Sequence, residues 1–221
     1  MRIEKTSLLG SPYLGVFSRV TDNFVLLPNK VSQREESFFS GLFSAEIIKS
    51  NIADSPLVGA LSVGFGKKLL ISELALDSEI KLLESRGLKV MKLRNSTAVG
   101  NLIALTEKNA VCSNAIPERQ VKDVEKFFGV KAFVIDVAGS DLVGSSIVVA
   151  GKGFIVNPGI SKDEFSELER IFGVEGVATT ANYGDRFVAN SVVANSSGVA
   201  VGERTSGPEL ARIDDAFSKE Q

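Results

Sequence analysis

The chain of 221 residues has no histidine and no tryptophan, and its only cysteine is Cys112. Without histidine it lacks the side chain that most often binds metals and transfers protons near neutral pH. A lone cysteine excludes an internal disulfide framework and is typical of a reducing compartment. No apolar run reaches about 18 residues, and the start shows no secretory leader pattern, so neither a membrane span nor export is indicated. We therefore expect a cytoplasmic protein with no metal and no cofactor.

An excess of charge of either sign is also missing, because 25 lysines and arginines face 27 acidic residues for a net charge of −2. Proteins that bind nucleic acid mainly through phosphates usually have a basic face and a high isoelectric point. A general electrostatic grip on nucleic acid is therefore not indicated. The 44% hydrophobic and 24% charged residues are typical of a globular protein.

Two glycine series show that the chain is built from repeats. An apolar residue followed by glycine recurs at intervals of 44, 41 and 44 residues, at Gly15, Gly59, Gly100 and Gly144. A second series follows helix-like segments at intervals of 42 and 44 residues, at Gly87, Gly129 and Gly173. Glycine just after a helix suits the left-handed conformation that ends many helices. Repeats of this length indicate stacked units or a propeller.

Each unit contains two strands, a helix and a third strand. In the fifth unit Ala189 replaces the opening glycine, and the third strand is missing after the final helix. The spare strand at residues 2–8 can supply it, which also covers a sheet edge that would otherwise be open. We predict a single α/β domain, a propeller with fivefold pseudosymmetry closed by the N-terminal strand. Its units span approximately residues 9–56, 57–98, 99–141, 142–181, and 182–221 with 2–8.

Local signals place several elements within these units. Ser32 with Glu35, and Ser161 with Glu164, are capping boxes that start helices. Asp77 is the predicted N-cap of the second-unit helix, and Pro117 is predicted at the first position of the third-unit helix. Residues 15–20 are predicted as a strand. The second half of the first unit matches the repeat least well.

Three further motifs have simple structural interpretations. Residues 64–68, GFGKK, lack the spacing of a phosphate loop and are followed by strand-like leucines, so they predict a turn between strands. Lys67 and Lys68 of this turn are nevertheless candidates for contact with a phosphate. Cys112 lies in an apolar run and is predicted to be a buried core residue. Residues 182–185 predict a loop whose Tyr183 is a candidate interface anchor.

Several segments together resemble the archaeal form of the translation initiation factor 6 family. They are LGVFSRVTDNFVLLP, VGFGKKLLIS, TAVGNLIALTEKNAVC, GFIVNP and TSGPELARIDDAF. That family is similar in fold to the penteins, which are five-bladed α/β propellers. The resemblance implies a factor that binds the intersubunit face of the large ribosomal subunit and sterically blocks the small subunit, with a role in large-subunit maturation. It also implies contact with ribosomal protein uL14, near a uL24-type protein and the sarcin-ricin loop.

A ring places the five unit-opening loops together on one side, and the resemblance implies that the loop of Gly100 and Asn101 faces uL14. The candidate residues there are Gly15, Ala60, Gly100, Asn101, Ser145 and Asn190. The eukaryotic pattern has arginine at the position of Ala60, so a charged contact there is not expected in this chain. The glycines have an equally good structural explanation, since tight turns and close packing also require glycine. We expect a monomer that binds neither a membrane nor a small-molecule substrate.

An enzymatic function is the main alternative. Pentein-fold enzymes that act on guanidino groups resemble this architecture and use a nucleophilic cysteine with a histidine for proton transfer. A chain without histidine cannot assemble that pair. A ligand-binding propeller with a polar central pocket remains a further alternative.

Overall fold

The computed structural model describes residues 1–151 and 153–218. Lys152 of the predicted fourth unit, and residues 219–221 of the predicted last unit, lie outside the described residues. The described chain forms five three-stranded sheets, and each sheet is accompanied by a longer helix.

Two strands, a longer helix and a third strand recur in this order in the first four units. The strand β1 (Arg2–Thr6) precedes the first unit, which contains α1 (Leu14–Phe17), β2 (Arg19–Val20), β3 (Phe24–Leu27), α2 (Gln33–Phe43) and β4 (Glu46–Lys49). The second contains β5 (Ser62–Phe65), β6 (Lys68–Ser72), α3 (Asp77–Ser85) and β7 (Lys89–Leu93). The third contains α4 (Val99–Leu102), β8 (Ile103–Leu105), β9 (Asn109–Cys112), α5 (Glu118–Phe128) and β10 (Lys131–Val134).

The last two units repeat this arrangement. The fourth contains α6 (Val143–Ser146), β11 (Ile147–Ala150), β12 (Gly153–Val156), α7 (Lys162–Phe172) and β13 (Glu175–Ala178). The fifth contains a 3-10 turn (Val188–Asn190), β14 (Val192–Ala194), β15 (Gly198–Gly202) and α8 (Gly207–Phe217).

The N-terminal strand completes the fifth sheet, as predicted. In the first four units the first two strands are antiparallel and the third runs parallel to the second. In the fifth, β14 and β15 are antiparallel, and β1 takes the third place parallel to β15, with Arg2 opposite Gly198. The first strands contact each other in the cyclic order β2, β5, β8, β11, β14 and back to β2.

The core is divided into clusters of apolar side chains packed between the sheets and the longer helices. In α5 the buried face consists of Val121, Val124, Phe127 and Phe128. In α7 Leu168 and Ile171 are buried, whereas Phe165 and Phe172 are partly buried against the same cluster.

The helix ends follow the glycine series. Gly87, Gly129 and Gly173 have φ values of +78°, +78° and +69°, which confirms their predicted left-handed conformation. Both predicted capping boxes are present, at the starts of α2 and α7. The interpretation of the second glycine series as helix terminators is therefore correct.

Two predicted helix starts are wrong by one residue. The N-cap of α3 is Leu76, not Asp77, which is the first helical residue. The Glu79 carboxylate accepts the Leu76 N–H at 2.8 Å, so it takes over the role expected of a polar side chain at the cap. Pro117 is the N-cap of α5 rather than its first helical residue, because its ψ of 141° is extended.

The unit openings also differ from the prediction. Residues 15–20 are not one strand, since Leu14–Phe17 is a helical turn and only Arg19–Val20 pairs with β3. The same short helix precedes the first strand in the third and fourth units. In the first unit, α2 and β4 are regular elements. The first unit therefore follows the same plan as the others, although the sequence of its second half matches the repeat least well.

Candidate functional site

The unit openings pack directly on one another. A Cβ on Gly59 would overlap the carbonyl oxygen of Gly15, and one on Gly100 would overlap that of Gly59. Gly144 stands in the same relation to Gly100, and Gly15 to Ala189. All these separations would be below 3.0 Å, a distance that real Cβ atoms essentially never show. Close packing therefore requires glycine at these four positions, whether or not they also meet a partner.

Backbone hydrogen bonds join adjacent openings. The Gly100 N–H donates to the Ala60 carbonyl at 2.9 Å, and the Gly59 N–H donates to the Val16 carbonyl at 3.1 Å. The openings thus form one continuous surface, which we call the opener face and define as the residues from two before to one after each opening position. It comprises residues 13–16, 57–60, 98–101, 142–145 and 187–190.

The candidate residues of the opener face differ in exposure. Ser145 is only 5% exposed, and Gly15 and Gly100 are also buried. At these positions a partner could therefore meet mainly backbone atoms rather than side chains. Ala60, Asn101 and Asn190 are half-buried. The Asn101 N–H donates to the Ala98 carbonyl at 2.9 Å, while its side chain has no hydrogen bond to any described residue. Its amide is therefore free to bind a partner.

Apolar side chains surround these residues. Tyr13 and Leu57, each two residues before an opening glycine, are 42% and 38% exposed. Phe187 and Leu142 occupy the same place in their units and are half-buried. The repeat could have identified these four residues, because each precedes an opening position by two residues. Their exposure could not be predicted, because it depends on the turn at each opening.

Tyr183 extends from the loop just before the fifth opening and is 83% exposed. The loop lies next to the first unit, since the Asn182 Nδ2 donates to the Pro12 carbonyl at 2.8 Å. Asn182 and Tyr183 have φ values of +47° and +65°, a conformation that non-glycine residues seldom adopt. The structure thus holds Tyr183 outward, next to a residue whose side chain contacts the first unit.

A glutamate fixes this loop to the helix of its own unit. The Glu209 carboxylate accepts the N–H groups of Tyr183 at 3.1 Å and Gly184 at 2.8 Å. Glu79 accepts Ala53 and Glu35 accepts Leu9 at the same separation of 26 residues along the chain. Burial raises the pKa of Glu209, but hydrogen bonds from Thr180, Ser206 and Gly184 outweigh it and lower the pKa to about 2.

Lys67 and Lys68 lie away from the opener face. Lys67 lies in the turn between β5 and β6, at the end of β5 opposite the second opening, and Lys68 is the first residue of β6. The predicted turn between strands is confirmed, although it is limited to residues 66–67. The Lys68 ammonium donates to the Phe128 carbonyl at 2.8 Å at the end of α5, whereas Lys67 is exposed. The structure therefore does not bring the two lysines together with the other candidate residues.

A family model described as the eIF-6 family matches residues 3–216. The chain belongs to the eIF-6 family. Among its curated relatives, translation initiation factor 6 of Aeropyrum pernix is 41% identical, with 96% of this chain and 93% of the relative covered. Those of Methanocella arvoryzae and Picrophilus torridus are 36% and 31% identical, with at least 97% of each chain covered.

Solved structures confirm the fold outside the eIF-6 family. The amidinotransferase SxtG of Microseira wollei superimposes with a TM-score of 0.57 at 7% identity, covering 82% of this chain and 71% of SxtG. The N-terminal domain of the cyanobacterial arginine dihydrolase ArgZ gives 0.50 at 10% identity, covering 74% of this chain and 67% of that domain. Both have the pentein-like fold that the resemblance implied and that agrees with the propeller predicted from the repeats. At such identities the likeness concerns the fold alone.

The single cysteine of this eIF-6 family member is unsuited to nucleophilic chemistry. Cys112 is fully buried in β9, as predicted. Burial, with a smaller contribution from the negative charge of Glu125, raises the pKa of its thiol to about 12. A thiol with this pKa is protonated at neutral pH and is a weak nucleophile.

Within the described ranges 1–151 and 153–218, no helix has both the length and the apolar character needed to cross a bilayer.

Proposed function

We propose that this chain binds the large ribosomal subunit through the opener face and sterically prevents the small subunit from joining. The partner expected from the resemblance is uL14, with a uL24-type protein and the sarcin-ricin loop nearby. The observation that best supports a protein partner is the exposure of Tyr13, Leu57 and Tyr183 on or beside the opener face. Exposed aromatic side chains are typical anchors of protein interfaces.

The charge balance supports the same proposal. With a net charge of −2 the chain has no overall attraction for phosphates. Lys67 and Lys68 lie at the far end of β5, so any rRNA contact by them would be separate from the opener face. The affinity for the large subunit should therefore fall only modestly between low and moderate salt.

Sedimentation through a sucrose gradient with separated archaeal subunits tests the proposal. We expect the protein to migrate with the large subunit alone and to reduce the fraction of joined ribosomes. Migration with neither subunit would refute ribosome binding. Migration with the large subunit without reducing the fraction of joined ribosomes would refute steric exclusion.

The variant Asn101→Arg locates the binding surface. A long charged side chain on the opener face should weaken large-subunit binding at least about tenfold, since unmatched interface charges are costly. Its melting temperature should be nearly unchanged, because the Asn101 side chain makes no hydrogen bond within the described chain. Asn23→Arg, an exposed position in the β2–β3 turn, makes the same change at the opposite end of a strand and should bind normally. Equal loss of binding in both variants would contradict this assignment of the surface.

A further inference from the structure

One charged residue occupies an otherwise apolar layer at the centre of the molecule. The residue four positions after each opening lines a central chamber of about 80 Å³, and the five residues are Arg19, Val63, Ala104, Val148 and Val193. The four apolar members are each at most 9% exposed. Arg19 is thus charged at a position where the other four repeats have a buried apolar side chain.

The guanidinium of Arg19 is poorly compensated. Its Nη2 donates to the Gly59 carbonyl, whereas its Nε is buried without a hydrogen-bond partner. No carboxylate of the described residues lies within 4.0 Å of it. Burial lowers its pKa to about 10, so it stays protonated at neutral pH. Arg19 as a whole is half-buried. A charge partly removed from water without a counter-charge is unfavourable unless something else pairs with it.

A larger chamber, which we call the outer chamber, adjoins the space next to Arg19. The outer chamber has a volume of about 440 Å³ and reaches the turns between the first and second strands. Both chambers share one layer of walls, made by the next residue of each repeat: Val20, Gly64, Leu105, Val149 and Ala194. A volume of this order suits a small molecule, and largely apolar walls with a few polar groups are typical of ligand sites. Here Arg19 lies at the base and the polar residues lie at the turns.

The charges at the rim limit the class of ligand. Asp22, Glu107 and Lys108 line the outer chamber, so carboxylates outnumber ammonium groups there. A ligand with several negative charges would be repelled at the rim, whereas a single carboxylate is accepted more easily. The planar fork of a guanidinium matches a carboxylate in two parallel hydrogen bonds.

We propose that the central cavity binds a small aliphatic monocarboxylate, with its carboxylate on the Arg19 guanidinium and its hydrocarbon chain against the shared apolar layer. This site is independent of the ribosome-binding proposal. It requires neither cysteine nor histidine chemistry, because the carboxylate is bound without reaction.

Isothermal titration with sodium butyrate, with sodium chloride at equal ionic strength as reference, tests the proposal. The wild-type protein should bind one butyrate saturably. Arg19→Met, which keeps an unbranched apolar side chain and removes the charge, should weaken binding about ten- to hundredfold, as expected for a charged hydrogen-bonded pair. Arg94→Met, at an exposed arginine outside the cavity, should bind as the wild type does.

Equal affinity in wild type and Arg19→Met, or no saturable binding of butyrate to the wild type, would overturn the proposal. If Arg19→Met does not fold, crystals of the wild-type protein soaked in 4-bromobutyrate provide a second test. The carboxylate should lie within hydrogen-bond distance of Arg19, with the anomalous bromine signal in the outer chamber. Bromine only outside the cavity would contradict the site.

Discussion

A missing Cβ sets the distance between neighbouring units at four of the five openings. The carbonyl oxygen of the preceding unit occupies the place where a side chain would begin. In the fifth unit Ala189 takes the opening position, and its own carbonyl oxygen occupies the space next to Gly15. Glycine is required here because the backbones of neighbouring units approach closely. It is not required for an unusual backbone conformation, since these four residues do not have positive φ values.

Gly59→Ala should lower the free energy of unfolding by at least about 3 kcal/mol. The new methyl group would meet the Gly15 and Ser18 carbonyl oxygens, both backbone atoms that cannot rotate away. Gly41→Ala is the matched control, since that exposed glycine in α2 has no neighbour within 4 Å of an added Cβ. It should raise stability by about 1 kcal/mol through higher helix propensity. Urea unfolding of both variants measures the difference, and equal effects would contradict this account of the packing.

Glu209 makes a contribution to stability that depends on pH. Because its pKa is lowered to about 2 from the ordinary value of 4.5, its contribution is fully present above pH 4.5 and is lost as the pH falls towards 2. Glu209→Gln should therefore be less stable than the wild type at neutral pH, and the difference should shrink below pH 4.5. Thermal unfolding between pH 2 and 7 measures this. An unchanged difference across the range would contradict a charge effect, and Glu84→Gln, at an exposed helix position, is the control.

At the scale of elements, the end of each long helix determines how clearly its unit can be predicted. The second, third and fourth units show a glycine after the helix, and the strands that follow were predicted. In the first unit Ser44 occupies the corresponding position and has a φ of +50°. A serine in this conformation gives no sequence signal, so strand β4 was not predicted. The four-residue helices at the openings were missed because one turn is too short to show a period.

Ser44→Gly should raise the free energy of unfolding by about 0.5–1 kcal/mol. The left-handed conformation costs a residue with a Cβ about 1–2 kcal/mol, and the greater freedom of glycine when unfolded offsets part of the gain. The reverse change, Gly173→Ser at the end of α7, should lower stability by a similar amount, since both positions are exposed. Chemical denaturation of the two variants should give effects of opposite sign, and effects of the same sign would contradict the cap assignment.

At the scale of the whole molecule, the repeat predicted the architecture and the pairing of β1 with β15. The fivefold positions also showed where the openings would meet. The role of Arg19 could not be predicted in the same way, because its place in the central layer depends on which side of a two-residue strand faces inward. Alignment of the repeats places Arg19 at the same position as Val63, Ala104, Val148 and Val193, so its charge was visible as an exception. Only the structure shows that this layer encloses a chamber.

Asn195 joins the last unit to the first. Its Nδ2 donates to the carbonyls of Thr21 at 3.1 Å and Phe43 at 2.9 Å, and the side chain is 4% exposed. Related bonds join other neighbours, since Lys68 donates to Phe128 and Asn109 donates to Ile171 at the ends of the next helices. These bonds connect the fifth unit to the first, the second to the third and the third to the fourth, and we propose that the five units unfold together.

Asn195→Ala should lower the free energy of unfolding by about 3 kcal/mol, because two buried carbonyl oxygens lose their donor. If the five units form one cooperative domain, the variant should still show a single calorimetric transition at a lower temperature, with the calorimetric and van't Hoff enthalpies equal. Asn114→Ala, at an exposed asparagine bonded to Asp136, should change stability by less than about 0.5 kcal/mol. Two separate transitions in Asn195→Ala would instead mean that the seam can open while the remaining units stay folded, since its loss would then affect only the first and fifth units.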